Sequence, residues 1–484
     1  MSQGKSTQQS KRSNKTQRRA KKKVRKARNK SKALNKQHAQ KAINSFLGDI
    51  DIFSDYQFHG NIKWAASDLT RIGLLLSWSE KKNITDAFTE TFKRCQRMAI
   101  TTVHTTYQGL IGALANYTHI FIPLLILQLQ QKMQEVGGEF WVVSGFVPIA
   151  FDGSRNSASR TQSNERELCS AKGKAKAAQS PSTVTDPKPQ AWITLMWHMG
   201  LRLPWDWRLG PSDSSERAHV REMVASGSFP ENTLFCGDAG FVGYDFWRWI
   251  IEQGQHFMVR VGGNVKLIGE TLDYQQLEGG EVLCWPKGKQ AKQPPLRLRL
   301  VKVTIGKTEV YLLTSVLCPK DLPASAMLTI YKMRWGIEIE FRGLKQTLSG
   351  QKLRCRNAER LYTELHWSLL AMAVAELLAV REQIANQNNL RESYTPKDRS
   401  LAITMRAIYE CLDELEDFAP TGGDLFSRLA MAITDGYQRK KSKKARYRPA
   451  RTKKNKKPTV PPEVRKPNTA ERQKLRKTLG NIAA

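Results

Sequence analysis

Between residues 140 and 261 the apolar residues come in short runs closed by turn residues, and that spacing narrows the fold class sharply. Phe146-Val-Pro-Ile-Ala-Phe151 is a strand-length apolar run that ends in Asp152-Gly153. Trp192–Met199 and Leu201–Leu209 are two more, rich in Trp and joined at Gly200. Asp213-Ser-Ser-Glu216 has the form of a capping box and predicts a helix over 214–226. Thr233–Gly237 is a further strand, closed by Asp238-Ala-Gly240-Phe241; a helix Tyr244–Glu252 and a strand His256–Val261 follow. Three strands, a helix, a strand, a helix and a strand describe a mixed α/β sheet. From Val265 to Leu317 the pattern alternates, as in Leu296-Arg-Leu-Arg-Leu-Val-Lys-Val-Thr-Ile305, which predicts an antiparallel β unit. The stretch 154–190, rich in Ser, Lys, Gln and Pro, reads as a long loop.

The flanks differ from this body. Residues 1–42 hold 16 Lys/Arg and no Asp/Glu, and residues 438–484 hold 18 Lys/Arg against 2 Asp/Glu. Of the formal net charge of +34, only +2 falls on residues 43–437. A near-neutral globule with two cationic arms points to a polyanionic partner, bound through counterion release. From 43 to 138 the periodicity is helical, over Ala65–Trp78, Ile84–Arg97, Thr101–Ala115 and Leu124–Val136. Such a unit beside a basic arm suits DNA binding, and it equally suits plain helical packing. Tyr362–Ile384 and residues 398–435 are helical again. The seven cysteines form no C-x-x-C pair, which argues against a zinc site or a disulfide framework and suits a reducing cytosol. The apolar runs Ile120–Leu127 and Leu365–Val380 read as buried helices of a soluble protein with no membrane partner: the first is short and holds Pro123, the second is broken by His366 and Glu376.

One further helix, Ala324–Leu348, carries the most distinctive polar pattern. Tyr331, Arg334, Glu338 and Lys345 fall within a stripe about 60° wide at about 100° per residue. Ile330, Met333, Ile337, Phe341, Leu344 and Leu348 form the core-facing stripe beside it. A carboxylate can hold a divalent metal, and cations beside it can hold phosphates. Asp152, Asp238 and Glu338 then stand out as three acids, two at strand ends and one on a helix that returns after the β unit. Each alone has an ordinary reading as a turn or surface residue. Together, three acids can hold two divalent ions about 4 Å apart for an in-line displacement on phosphorus. Magnesium suits such all-oxygen ligands.

On these residues the chain resembles the DDE transposases of bacterial insertion sequences, in the insertion-sequence-four (IS-four) branch. That branch carries the same Y-R-E-K spacing on the helix bearing the last acid. The resemblance spans roughly 145–380, strongest over Tyr331–Lys345, with support at Ser144–Arg155 and Gly237–Phe241. It implies an RNase H-like catalytic core with a β domain inserted between the second and third acids. Asp152, Asp238 and Glu338 would be the catalytic, metal-binding triad for two Mg²⁺ ions, with Mn²⁺ able to substitute. Tyr331, Arg334 and Lys345 would hold the phosphates of the transposon end, and Trp335 matches an aromatic beside the arginine. Some relatives flip a base onto a tryptophan of the β insertion; Trp285 is the Trp of that segment here. Arg155 and Arg260 are further candidates, as phosphate contacts or as partners of an acid.

The expected division is a disordered basic arm (1–42), a helical DNA-end-binding domain (43–140), an RNase H-like core (141–264 and 318–390), a β insertion (265–317), a helical segment (391–437) and a basic tail (438–484). The implied activity is cleavage at terminal inverted repeats and transfer of the 3′ ends into target DNA, by a homodimer in a synaptic complex in the cytoplasm, associated with the nucleoid. An RNase H-like nuclease without strand transfer, or a non-catalytic DNA-binding relative, are the alternatives.

Overall fold

A computed structural model of the chain describes residues 21–23, 37–48, 52–104, 106–170, 188–269, 280–306, 308–348, 353–387, 394–413, 424–434 and 460–479. The expectations for the arm 1–42, the loop 154–190 and the tail 438–484 therefore fall partly outside the described residues. The chain divides into two compact units: one of residues 137–155, 168–341 and 435–484, the other of 1–136, 156–167 and 342–434.

The first unit is built on a ten-stranded mixed sheet. Its strands are β1 (Val147–Ser157), β2 (Gln190–His198), β3 (Leu203–Gly210), β4 (Thr233–Gly237), β5 (His256–Val261), β6 (Lys266–Ile268), β7 (Gly280–Cys284), β8 (Leu296–Ile305), β9 (Thr308–Thr314) and β10 (Glu463–Arg465). They lie in the order β10-β6-β7-β8-β9-β5-β4-β1-β2-β3. β1, β4 and β5 run parallel, while β2 and β3 form an antiparallel hairpin. The fold is thus mixed α/β, as the alternation of strand and helix patterns requires. Helices α1 (Glu216–Ser226) and α2 (Tyr244–Glu252) make the crossovers to β4 and β5. α1 begins at an N-cap formed by Ser215, whose hydroxyl accepts from Ala218 N, two residues beyond the Asp213 cap that the sequence pattern suggested.

Two features of the sheet go beyond the sequence reading. The alternating segment 265–317 supplies the expected antiparallel strands β6 to β9, and β9 pairs antiparallel with β5 through Met258↔Thr314 to Val261↔Tyr311. It extends the same sheet. β10, from within the expected basic tail, pairs parallel with β6 at the sheet edge. The helix α5 (Thr469–Leu479) follows it and places Leu475 against Ile268 and Trp285.

The expected single helix over 324–348 is two helices, α3 (Ala324–Met333) and α4 (Gly336–Gln346), separated at Arg334-Trp335. At the break the backbone bonds tighten to three-residue spacing, Arg334 N to Tyr331 O at 3.3 Å and Ile337 N to Arg334 O at 3.1 Å. Gly336 lies against the buried ring of Trp197 on β2, and a Cβ there would overlap that ring. The close approach explains why the break falls beside a glycine.

The second unit is helical. Its centre is the helix Ala358–Ala385, capped by the Asn357 side chain on Arg360 N and buried over most of its length. Around it pack Ala66–Ser77, Leu401–Asp413 and Leu425–Ala430. Trp78 Nε1 donates to Ala371 O at 2.9 Å, and Gln383 Nε2 donates to Leu429 O and Ala432 O. Inside it, the buried pair Arg399–Glu376 closes at 2.8 Å. Thr101–Ala115 and Leu124–Val136, expected as two helices, are one helix, Tyr107–Gly137, that runs through Pro123. Phe121, Ile122, Leu125, Ile126 and Leu129 are buried on both sides of the proline, and this packing outweighs the lost backbone bond. Tyr107–Phe140 and Ala358–Ala385 are long and apolar enough to cross a membrane, and 89% of the latter's most apolar window is buried inside the protein. All seven cysteines are free thiols, and Cys318 is the exposed one.

Candidate active site

Register brings the first two acids together. β1 and β4 pair in parallel from Val147↔Thr233 to Ala150↔Cys236. Asp152 follows two residues after Ala150 and Asp238 two residues after Cys236, so both acids lie at the same end of this parallel pair, near enough for the charge of Asp238 to act on Asp152. Below them Phe151 and Phe241 meet edge to face, ring centroids 4.3 Å apart, and clamp the two acid-bearing segments. Trp247 Nε1 donates to Phe241 O at 3.1 Å and holds the second segment from α2. Asp152 does not end its strand as the sequence suggested: β1 continues to Ser157. Asp238 does leave its strand, as the N-cap of a short turn over Ala239–Phe241. Each carboxylate is fixed by one backbone N–H, Gly153 N to Asp152 Oδ1 at 2.8 Å and Gly240 N to Asp238 Oδ1 at 2.7 Å.

The third acid arrives through Arg334. The guanidinium of this buried residue lies 3.5 Å from Asp152 Oδ2 through Nη1 and 3.8 Å from Glu338 Oε1 through Nη2. Both separations exceed the 2.7–2.9 Å of a charge-assisted hydrogen bond. The arginine therefore neutralises the two acids without locking them. Its carbon Cζ also lies 5.7 Å from the Tyr331 ring centroid and 5.9 Å from that of Trp335. Tyr331 is buried, and burial pushes its phenol up, opposed by the charges of Arg334 and Arg260; Asp238 adds to the rise. Arg260, on β5, thus belongs to the same neighbourhood. Trp335 is 56% exposed, a large ring left open beside the acids.

A fourth carboxylate enters that the sequence reading assigned to helix capping. Glu216 is the first residue of α1, and its Oε1 lies against Gly153, where a Cβ would overlap both it and Trp192 Cζ2. Burial pushes Glu216 up from 4.5 to about 7, with Asp152 and Asp238 as the next causes; Arg155 and Arg217 oppose it. Asp152 is likewise raised, first by burial, then by Asp238 and Glu338, against the Gly153 N–H and Arg334. The signal for Glu216 was present as an acid three residues after Asp213, but a capping box gives such a glutamate a complete local role.

The other candidates separate. Arg155 is exposed and stacks at 4.3 Å over Trp192, with Nε donating to Ser212 O at 3.3 Å. Lys345, in the last turn of α4, falls in the second unit, and burial lowers it. Trp285 is 4% exposed, packed with Ile268 and Leu475, and its indole N–H donates to Gln293 O at 2.7 Å. A base has no open face of Trp285 to stack on in this arrangement.

Among the described residues no three His, Cys, Asp or Glu side chains stand close enough to enclose a metal ion. The donor chemistry nonetheless fits a hard cation: the converging acids offer only oxygen, and burial, with like-charge repulsion added to it, raises Asp152 and Glu216.

Parts of the chain are similar to known transposases. Residues 151–374 match the family model described as a transposase DDE domain. A curated relative, "Putative transposase y4zB" of Sinorhizobium fredii (strain NBRC 101917 / NGR234), is 28% identical over 151 residues. The match covers 29% of this chain, and the chain spans about two fifths (41%) of that relative's length. A cryo-EM structure of the piggyBac transposase synaptic complex with hairpin DNA aligns over 84% of each chain, at 12% identity and a TM-score of 0.37. The stretch that matches the transposase DDE model holds Asp152, Asp238, Arg334 and Glu338.

Proposed function

We propose that this chain is a metal-dependent DNA transposase of the insertion-sequence-four branch, cutting at terminal inverted repeats and joining the freed 3′ ends to target DNA. The observation that carries this reading is the convergence of Asp152 and Asp238 at the same end of parallel β1 and β4, with Glu338 brought to them through Arg334. The order β3-β2-β1-β4-β5 with parallel β1, β4 and β5 supports an RNase H-like core. Asp152, Asp238 and Glu338 would hold two Mg²⁺ ions, or Mn²⁺ in their place. Such ions, when bound, activate a water or a 3′-hydroxyl and stabilise the leaving oxygen at phosphorus.

The chain's own residues prepare that chemistry. The amides of Gly153 and Gly240 fix Oδ1 of Asp152 and Asp238, so Oδ2 of each is the oxygen left for a ligand. A cation held at Asp152 Oδ2 would supply the charge that Arg334 supplies there, and the guanidinium would then be available to the phosphates of the DNA end. Tyr331 and Lys345 would share those phosphates, with Arg155 and Arg260 as outer contacts, and exposed Trp335 would receive a base or sugar. The arms would bind duplex DNA without sequence preference and the helices of 43–140 the element end. Two protomers would pair two ends in a synaptic complex, in the cytoplasm at the nucleoid.

Strand transfer separates this reading from a nuclease of the same core. The full chain, Mg²⁺, a labelled element end and a supercoiled target should yield joined products. Nicks without joined products would assign a nuclease, and binding without either would assign a non-catalytic relative.

A further inference from the structure

A groove of about 400 Å³ opens beside the Asp238 turn, lined by α1 and the start of α2. Arg217 and Arg221 stand on its wall, one turn apart and both exposed, on a helix whose buried residues are Val220, Met223 and Val224. Arg217 Nε and Nη2 donate to Gly240 O at 3.0 and 2.5 Å, which fixes this guanidinium next to the Asp238 turn. Arg221 lies with Cζ 6.0 Å over Phe246 and 5.6 Å over Trp249. Ring contacts use the face of a guanidinium and leave its N–H edge for acceptors in its plane. The acid in the lining, Asp245, is paired with Lys289 at 2.8 Å, which leaves Arg217 and Arg221 as the charged side chains of the lining without a carboxylate from within it.

The backbone has the same polarity. Ser215 and Gly243, the N-caps of α1 and α2, both line the groove. Two helices therefore begin there, each with partial positive charge in its first turn. Gly243 has φ of 154°, a conformation that side chains rarely adopt, so the start of α2 presents bare backbone to whatever enters. Guanidinium edges and helix amides select phosphate oxygens over apolar or cationic ligands. Arg217, which lines the groove, also reaches Gly240 O in the Asp238 turn, and this adjacency suits a chain of phosphates better than one small anion.

We propose that this groove holds the phosphodiester backbone of the DNA strand leaving the carboxylates, with Arg217 and Arg221 contacting successive phosphates. The assignment rests on the transposase reading for the position of the strand. The test uses the full chain, with wild type, R217A, R221A and R221K compared by fluorescence anisotropy on one duplex between about 50 and 200 mM salt. Both arginines are exposed, so neither truncation empties the core, and a thermal melt of each variant confirms folding before binding is read. R221A and R217A should each weaken binding and lower the slope of log affinity against log salt by about 0.9, the value of one phosphate contact. R221K, which keeps the charge, should hold the wild-type slope. Wild-type affinity and slope in both R217A and R221A would overturn the groove. Cleavage of end DNA by wild type in the same preparations reports separately on the transposase reading. A lowered slope without any wild-type cleavage would leave the groove standing and remove that reading.

Discussion

Replacing Arg334 with Gln tests how the site manages its charge without a metal. The guanidinium is the cation between Asp152 and Glu338, at 3.5 and 3.8 Å. At an effective dielectric constant of about 20, a pair at that distance attracts by roughly 4–5 kcal/mol before desolvation. The Glu338 side chain is 42% exposed, so its share falls to the surface range of about 0.2–1 kcal/mol. The Asp152 side chain is 22% exposed and contributes more, and removing a buried arginine recovers part of its own desolvation cost. The net loss for R334Q is about 2 kcal/mol in metal-free protein. That corresponds to a fall in Tm of about 4–8 °C for a unit of this size. Divalent metal should narrow the gap, because it supplies the missing charge to acids that Arg334 no longer competes for. Isothermal titration with Mn²⁺ should accordingly give tighter binding to R334Q than to wild type, and melts with and without metal give the stability side of the same linkage. Equal Tm values without metal, or a gap that metal leaves unchanged, would refute the idea that Arg334 neutralises the empty carboxylates.

Two further outcomes follow from the same geometry. Glu216, raised from 4.5 to about 7, keeps its proton in the folded state over a pH range where the unfolded chain has lost it. Metal-free stability should therefore decline as pH rises from 4.5 through about 7, by about 1 kcal/mol once solvent screening of this half-buried group is allowed for. Urea unfolding across that range should show a flatter profile for E216Q, and an identical profile would contradict the placement of Glu216 among the acids. In G153A the new Cβ would overlap Glu216 Oε1 and the rigid Trp192 ring. Overpacking of that kind should cost about 1–3 kcal/mol in the same assay, and a neutral result would mean that Glu216 does not rest on Gly153.

β1 to β5 were legible because each is a short apolar run bounded by turn residues, and two of them carry Asp152 and Asp238 at their ends or close beyond; β10, inside the expected basic tail, was not. What sequence left hidden lies in tertiary contact. Nothing local marks that β9 pairs with β5, because an alternating segment fits a separate hairpin unit as well as a sheet extension. The break at Arg334-Trp335 depends on Gly336 meeting Trp197, a residue far away in the chain. The helical arithmetic from Tyr331 to Lys345 crosses that break, and Lys345 falls in the other unit. The periodicity suggested two helices, Thr101–Ala115 and Leu124–Val136, yet buried side chains on both sides of Pro123 carry one helix through it. Glu216 was concealed for a different reason: a helix-capping pattern already accounted for its carboxylate. Trp285 attracted notice as the tryptophan of the β segment, and its burial against Leu475 comes from a helix almost two hundred residues later.

Cleavage of element-end DNA by D152N, D238N and E338Q, measured beside duplex binding with the full chain and Mg²⁺, tests the central claim most directly. Each substitution removes one oxygen donor with little change in shape. The account predicts that all three bind DNA as wild type does and that none cuts it. Cutting that survives in any one of them would remove that residue from the catalytic set, and survival in D152N or D238N would contradict the account at its foundation.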